Sequence, residues 1–423
     1  MRYLKASLII ALISGVIVAA LFAWGGSALP DRRLMEFYHF ARGTKPLVPL
    51  GGQYLLIFIF AFLIAWTTVD IVHPLNKTII ALWSVAMLLS GSWVLYLYGY
   101  FFTPFQYCAA VLLSFVIGLF YGRSDSGVRK KVLQRLFGSR LSAKQFNRLI
   151  NSDIPISFTG NLQEATVFVC GIQNHDELMT SMSVEDYVAM TNLYLRTATD
   201  YLVEIGGFLD ECNGESIRVV FGAPLPDENH AVLACRAALE LGQRLDNVNK
   251  ECDTRWQKRI DYRIGINSGY VIAAAYGGTR LGSFSVAGEA VEFARRLCAA
   301  TSHYGARILT ASETYNLASK TFEARPIELF KRSSDSRRIE IYEILAPKNG
   351  LSAERAQSRD NFWRGIIYFR EKNWDKAVEE FNKARIPGLP DPALDYYVQR
   401  VERWRSGQAD LHREQSILLT PVF

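Results

Sequence analysis

The sequence predicts a membrane-anchored α+β protein: four membrane-crossing helices, then a mixed domain with an antiparallel-rich sheet, then a short helical tail. Three observations predict it. Four apolar stretches fall within the first 121 of 423 residues. Strand, helix and hairpin signals then alternate across residues 161–346, and a purely helical pattern fills 355–408. Half of the residues are hydrophobic, and the excess lies near the N-terminus, which excludes an ordinary soluble enzyme.

The membrane part is residues 1–121. Its apolar stretches are Leu8–Trp24, Tyr54–Val69, Ile79–Tyr98 and Phe105–Tyr121. Each approaches the ~20 residues that a helix needs to cross a bilayer. Trp24, Tyr54, Trp66, Tyr98, Tyr100 and Tyr121 lie near their ends, where aromatic rings anchor at the interface. Arg2 and Lys5 precede the first stretch as they would a signal peptide, but its apolar core is long for one. With four spans from an inside start, or three from an outside start, the remainder of the chain is cytoplasmic. Arg123, Arg129, Lys130, Lys131 and Arg135 after the last span mark that side as inside, against a weaker set at Arg32, Arg33, Arg42 and Lys45. The net charge of +6 therefore points to anionic lipid rather than nucleic acid, since no aromatic-interleaved basic groove is present.

Residues 122–160 form a basic, partly amphipathic helical linker. Val132, Leu133, Leu136, Phe137, Leu141, Phe146 and Leu149 make a stripe suited to pairing across a dimer axis or to packing on the chain's own domain. The domain at 161–346 opens with a buried strand, ATVFVCGI. Ser183 and Asp186 read as a capping box, and Val184, Val188, Leu195, Ala198 and Leu202 as one helical face. In GGFLDECNGESIRVVFGAP, Asn213-Gly214 predicts a hairpin with a two-residue type I′ turn. A helix follows from about Glu228. IDYRIGINSG and YVIAAAYG read as a second β-pair, GEAVEFARRLCAAT as a helix, ARILTA as a strand, and IEIYEIL as the closing strand. The expected architecture is an antiparallel-rich sheet with helices on one face. The six cysteines contain no C-x-x-C pair and read as reduced thiols, mostly core fillers; the six histidines lack metal-ligand spacing.

In the tail, Gly365, Tyr368, Ala377, Phe381 and Ala384 match tetratricopeptide-repeat spacing. Asn361 and Arg364 replace the usual leading Trp and Leu, and Pro390 falls one place late. A single repeat cannot bury its own apolar face. It must pack on the preceding domain, on a dimer mate or on a protein partner.

Four segments carry a family resemblance: ATVFVCGIQ, GGFLDECNGESIRVVFGAP with the DENHAVLACRAALEL after it, RIGINSGYVIAAAYG and FSVAGEAVEFARRL. Residues 161–346 resemble a class III adenylate/guanylate cyclase domain, which implies a ferredoxin-like fold. The multi-span front resembles bacterial cyclases with CHASE-type sensors. DRRLMEFYHFARG is similar to the start of such a sensor, whose remainder the short loop between the first two spans has no room for. Active members are dimers with sites at the subunit interface, where two aspartates hold two divalent ions. A Lys and an Asp or Thr read the base, and an Asn and an Arg steady the transition state.

On this chain the resemblance places the first metal aspartate on Gly171, which has no ligating side chain, and the second on Glu215. The base-reading lysine falls on Glu211, a reversal of charge, and its companion on Ser285. The transition-state Asn falls on Glu292, and only the Arg survives, as Arg296 beside Arg295. Losing one electrostatic stabiliser costs ~10²–10³ in rate. Glu292 adds negative charge near the expected triphosphate; like charges 4 Å apart repel by up to ~4 kcal/mol at an effective dielectric of ~20. The expectation is a catalytically inactive homologue without a cofactor, Mg²⁺ or Mn²⁺ entering only with residual activity. The alternative is an active cyclase in which Asp176 or Glu177 replaces the lost carboxylate. The expected partners are the bilayer, a second copy or a related subunit, and a protein bound by the tail; the expected location is the cell membrane.

Overall fold

The computed structural model describes residues 2–26, 28–40, 45–71, 74–123, 132–152, 160–277, 282–331 and 338–407. The chain divides into two compact units, Met1–Arg135 and Leu136–Phe423.

In the first unit, α1 (Arg2–Ala23), α3 (Leu50–Asp70), α4 (Pro74–Leu97) and α5 (Phe105–Arg123) are long and apolar enough to cross a membrane. The short helix α2 (Ala28–Phe37) carries most of the DRRLMEFYHFARG segment; residues 41–44 lie outside the described residues. Small and hydroxylated residues set the helix packing, as expected where lipid supplies no hydrophobic drive between helices. The Ser14 and Ser114 hydroxyls meet at 2.6 Å between α1 and α5. Gly118 of α5 lies against Thr68 of α3, where a Cβ would come within 2.2 Å of the Thr68 hydroxyl.

The second unit starts inside the linker helix α6, described over 132–137, followed by a 3₁₀ turn at Gly138–Arg140 and α7 (Ala143–Asn151). The linker packs on its own domain. Phe137 is fully buried, its ring 5.7 Å from Phe208 and 4.8 Å from Phe284. The basic residues Arg129, Lys130 and Lys131 lie outside the described residues.

Among the described residues, eight strands form one sheet, β1 (Asn161–Ile172), β2 (Phe208–Cys212), β3 (Ser216–Phe221), β4 (Tyr262–Tyr276), β5 (Ser283–Ala287), β6 (Ile308–Ala311), β7 (Phe322–Lys331) and β8 (Arg338–Pro347). The order is β2-β3-β1-β4-β6-β8-β7, with β5 on the far half of β4. All pairings are antiparallel except β4 with β6. Phe168 and Cys170 of β1 and Ile264 and Ile266 of β4, alternate residues on one face where these strands meet the helices, enter a core with α9 (Val184–Glu204) and α10 (His230–Trp256). Between β1 and α9 lies the short α8 (His175–Ser181).

Four expectations need correction. Helices lie on both faces of the sheet: α11 (Glu289–Tyr304) crosses the face opposite α10. Gly265 permits this, because a Cβ there would sit 2.3 Å from the Ala294 carbonyl oxygen and from the Cys298 nitrogen. The second β-pair is one continuous 15-residue strand, β4, laid along the whole of β1. Gly269 is not a turn; it lets the Ala290 methyl approach, at 3.3 Å from an added Cβ. On α9 the buried face is Met190, Tyr194, Ala198, Tyr201 and Leu202, while Val184 is 80% exposed and Val188 is also exposed. The Ser183 cap holds, its hydroxyl accepting from the Asp186 N–H at 3.1 Å.

The hairpin turn is also displaced. Neither Asn213 nor Gly214 has a positive φ. Asn213 N–H donates to the Ser216 carbonyl at 3.0 Å, so Gly214 and Glu215 are the central residues. The Asn213 Oδ1 accepts from the Glu215 and Ser216 N–H groups at 3.0 and 2.7 Å. An Asn side chain standing in for a backbone carbonyl fixes this turn without left-handed residues.

The tail comprises α13 (Ala353–Arg370), α14 (Trp374–Ala384) and α15 (Pro392–Arg405); a short α12 (Ser312–Ala318) precedes β7. Of the three packings open to it, the tail adopts the first: Phe362, Phe381, Leu394 and Tyr397 share a core with Phe293, Leu297 and Tyr304 of α11 and Ile327 of β7. Gly365 admits the Phe381 ring, which an added Cβ would meet at 2.5 Å. Arg400, 1% exposed, pairs with Glu328 at 2.7 Å, and Arg325 grips Asp391 at 2.6 and 2.9 Å.

Candidate functional site

A cleft of about 330 Å³ opens on the α11 face of the sheet. Its floor follows from strand register. Gly171 on β1 pairs with Ser216 of β3 and Arg263 of β4, and Val169 pairs with Arg218, so all five share one face. Glu211, Asn213 and Glu215 from the hairpin form one wall, and Arg295, Cys298 and Ala299 of α11 the other.

A β-bulge decides the electrostatics. The β2–β3 register shifts between Leu209 and Glu211, so Asp210 and Glu211 both oppose Arg218. Arg218 Nε donates to Asp210 at 2.6 Å, and its Nη1 to Glu211 at 2.7 Å. Arg295 Nη2 reaches the same Glu211 carboxylate oxygen at 2.9 Å from across the cleft. Glu292 stands 3.9 Å from Arg295 on the helix surface. The Glu211 carboxylate is thus held between two guanidinium groups of its own chain.

Gly171 is open rather than crowded. A Cβ there would have its nearest neighbours at 3.5 Å (Cys298 Sγ), 3.8 Å (Glu215 O) and 4.0 Å (Ser216 Cβ), ordinary contact distances. The position would accept a side chain and has none. Glu215 is 68% exposed and lies 3.9 Å from His175 Nδ1. Asp176 is almost fully exposed and turned to the same imidazole at 3.3 Å; neither it nor Glu177 lines the cleft among the described residues. Burial pushes the Cys170 and Cys298 thiols up to about 12, so neither offers a thiolate at neutral pH.

The sequence match of this domain is direct. The family described as the adenylate and guanylate cyclase catalytic domain matches residues 159–337. Those residues belong to the adenylate and guanylate cyclase family. Adenylate cyclase 1 of Rhizobium meliloti (strain 1021) is 24% identical to the chain over 194 residues, 46% of this chain and 29% of that protein. The adenylate cyclase of Anabaena cylindrica is 31% identical over 188 residues, 43% of this chain and 36% of that protein. The chain thus spans about a third of the length of these curated relatives. Among solved structures, the adenylyl cyclase CyaB from P. aeruginosa is 23% identical, with a TM-score of 0.42 over 46% of this chain and 99% of that one.

Within the cyclase domain the site residues separate into two groups. Gly171, Glu211 and Glu215 line the cleft. Ser285 lies on β5 opposite Ala274, and Glu292 is exposed in the first turn of α11; neither is in the cleft wall among the described residues. Of the arginine pair, Arg295 forms the wall, while Arg296 is half-buried about 100° further round the helix. Arg218, Asp210 and Arg263 were missed from sequence. For Arg218 and Asp210 the signal was a charged residue alternating with apolar ones in SIRVVF, with two acids on the facing strand; for Arg263 it was the same alternation in YRIGI.

The residues present do not fit a pair of divalent ions. Mg²⁺ requires several hard oxygen ligands in tight geometry. Gly171 supplies no side-chain oxygen, which leaves the outward-facing Glu215, and no cluster of three or more His, Cys, Asp or Glu suited to a metal occurs among the described residues.

Proposed function

We propose that this chain is a membrane-anchored, catalytically inactive member of the cyclase family: a pseudocyclase that acts in signalling as a dimerising scaffold or subunit. One observation carries the reading. At position 171 there is room for a metal-binding carboxylate and none is present, while the carboxylate at 211 closes on Arg218 and Arg295 instead of leaving a cation for a base.

Its placement follows from the rest of the chain. The four apolar helices hold it in the cell membrane, with the cyclase domain on the cytoplasmic side. An apolar strip supports pairing with a second copy or a related subunit: Leu162 faces Ile272 across β1 and β4, and Tyr270 and Tyr276 share their face, all exposed. The tail spends its apolar side on its own domain, so a protein partner meets its outer side.

The test is direct. Full-length protein in detergent or nanodiscs, given ATP or GTP with Mn²⁺, should form no cyclic nucleotide above a buffer control. Clear turnover that Arg296→Ala abolishes would overturn the proposal in favour of an active cyclase.

A further inference from the structure

A second pocket, of about 160 Å³, lies between the tail and the β7–β8 edge and shares no lining residue with the cleft. Its apolar wall is aliphatic: Leu345 of β8, Leu351, Ala384, Ile386 and Leu389. Its polar side presents three guanidinium groups, Arg325, Arg355 and Arg359, against a single carboxylate, Asp391. That carboxylate is already engaged: both oxygens accept from Arg325, and Oδ1 also accepts from the Leu394 N–H at 3.2 Å; Arg325 in turn also donates to Glu343 at 2.8 Å. Arg359 is turned partly to Glu323 and Asp360. Arg355 is exposed and one helical turn before Arg359, so both project from one side of α13.

We infer that this pocket binds a small organic anion: a carboxylate headgroup on a short aliphatic body. Arg325 is taken up by Glu343 and Asp391, and Arg359 by Glu323 and Asp360, so Arg355 is the lining guanidinium without a carboxylate partner among the described residues, and a planar guanidinium matches a carboxylate in a bidentate manner. The wall contains no aromatic ring on which a base would stack, which disfavours a nucleotide. The aliphatic residues favour a chain of methylene groups over a bare inorganic ion. Such an occupant would touch α13, the α14–α15 connection and β8 together, and so brace the tail on the domain.

The probe is sodium hexanoate, titrated calorimetrically into the full chain in nanodiscs, with empty nanodiscs subtracted. Hexanoate should bind saturably, acetate at least about tenfold more weakly, and hexylammonium not at all. Arg355→Glu should reduce hexanoate affinity at least about tenfold with an unchanged unfolding temperature, because Arg355 is exposed. Leu389→Asp, on the opposite wall, should do the same. Absence of saturable hexanoate binding to the unaltered chain would overturn the inference, as would undiminished binding to both folded variants.

Discussion

Two glycines on the same face of the sheet have opposite reasons for being glycine. Gly265 is required: backbone atoms of α11 stand 2.3 Å from where its Cβ would be. Gly171 is not, since its nearest neighbours begin at 3.5 Å. Gly265→Ala should therefore cost about 3 kcal/mol, because backbone cannot step aside as a side chain can. Gly171→Asp should leave the unfolding free energy, read from urea titration, within about 1 kcal/mol of the parent. The Gly171→Asp chain should also form no cyclic nucleotide, as Glu211 and Glu292 remain. Equal stability losses for the two variants would contradict the geometry. The absence of an aspartate was legible from the sequence, but the open space beside it was not, since that depends on how α11 lies across β1. Nor was the pairing of Glu211 with Arg218, because it requires a bulge that brings two consecutive acids to one side.

Among the elements, the hairpin shows how a correct assignment hides a wrong mechanism. Asn-Gly announced a turn, and a turn is there, centred one residue later and fixed by the Asn213 side chain. Asn213→Ala should cost about 1 kcal/mol by removing that acceptor, whereas a type I′ turn would have made the Gly214 position the sensitive one. Thermal unfolding of Asn213→Ala and Gly214→Ala side by side separates the two. The helix α9 was misjudged for a related reason. Its aliphatic residues marked one face, but its buried face uses tyrosines whose hydroxyls are satisfied, Tyr194 on the Cys170 carbonyl at 3.2 Å and Tyr201 on Glu240 at 2.6 Å. Strand β4 was read as two because a glycine that serves close packing resembles one that serves a turn. The cysteine reading yields its own test. A thiol-reactive maleimide should label exposed Cys212 in the native protein while Cys170, Cys235 and Cys298, buried and pushed up to about 12, react only after unfolding. Mass spectrometry after brief labelling reads the order.

At the scale of the whole molecule, the first unit was the most legible part, because span length and apolarity are properties of the sequence itself; the four predicted stretches fall inside α1, α3, α4 and α5 apart from one terminal residue in two of them. The tail was legible as helices, but its partner was not, since a repeat-like apolar face fits several surfaces. Its attachment predicts an acid response. Burial alone would raise the Asp391 carboxyl, but Arg325 outweighs it and holds it below the usual carboxylate range. A depressed folded value stabilises the docked tail above the unfolded pKa of about 3.9, and that contribution is lost as pH falls through the folded value. Tryptophan fluorescence, which includes Trp363, Trp374 and Trp404 of the tail, should therefore change below about pH 4 in the parent. In Asp391→Asn, which keeps the helix cap, the acid-dependent step should be smaller. An identical acid profile in both would remove Arg325–Asp391 as the cause.

The helix α11 belongs to two neighbourhoods at once: Arg295 and Cys298 look into the cleft, while Phe293, Leu297 and Tyr304 are buried with the tail. One stiff rod therefore joins the cleft wall to the helical tail. A displacement of α13–α15 would be felt at the Arg295–Glu211 contact, because α11 carries both the tail's packing partners and that arginine.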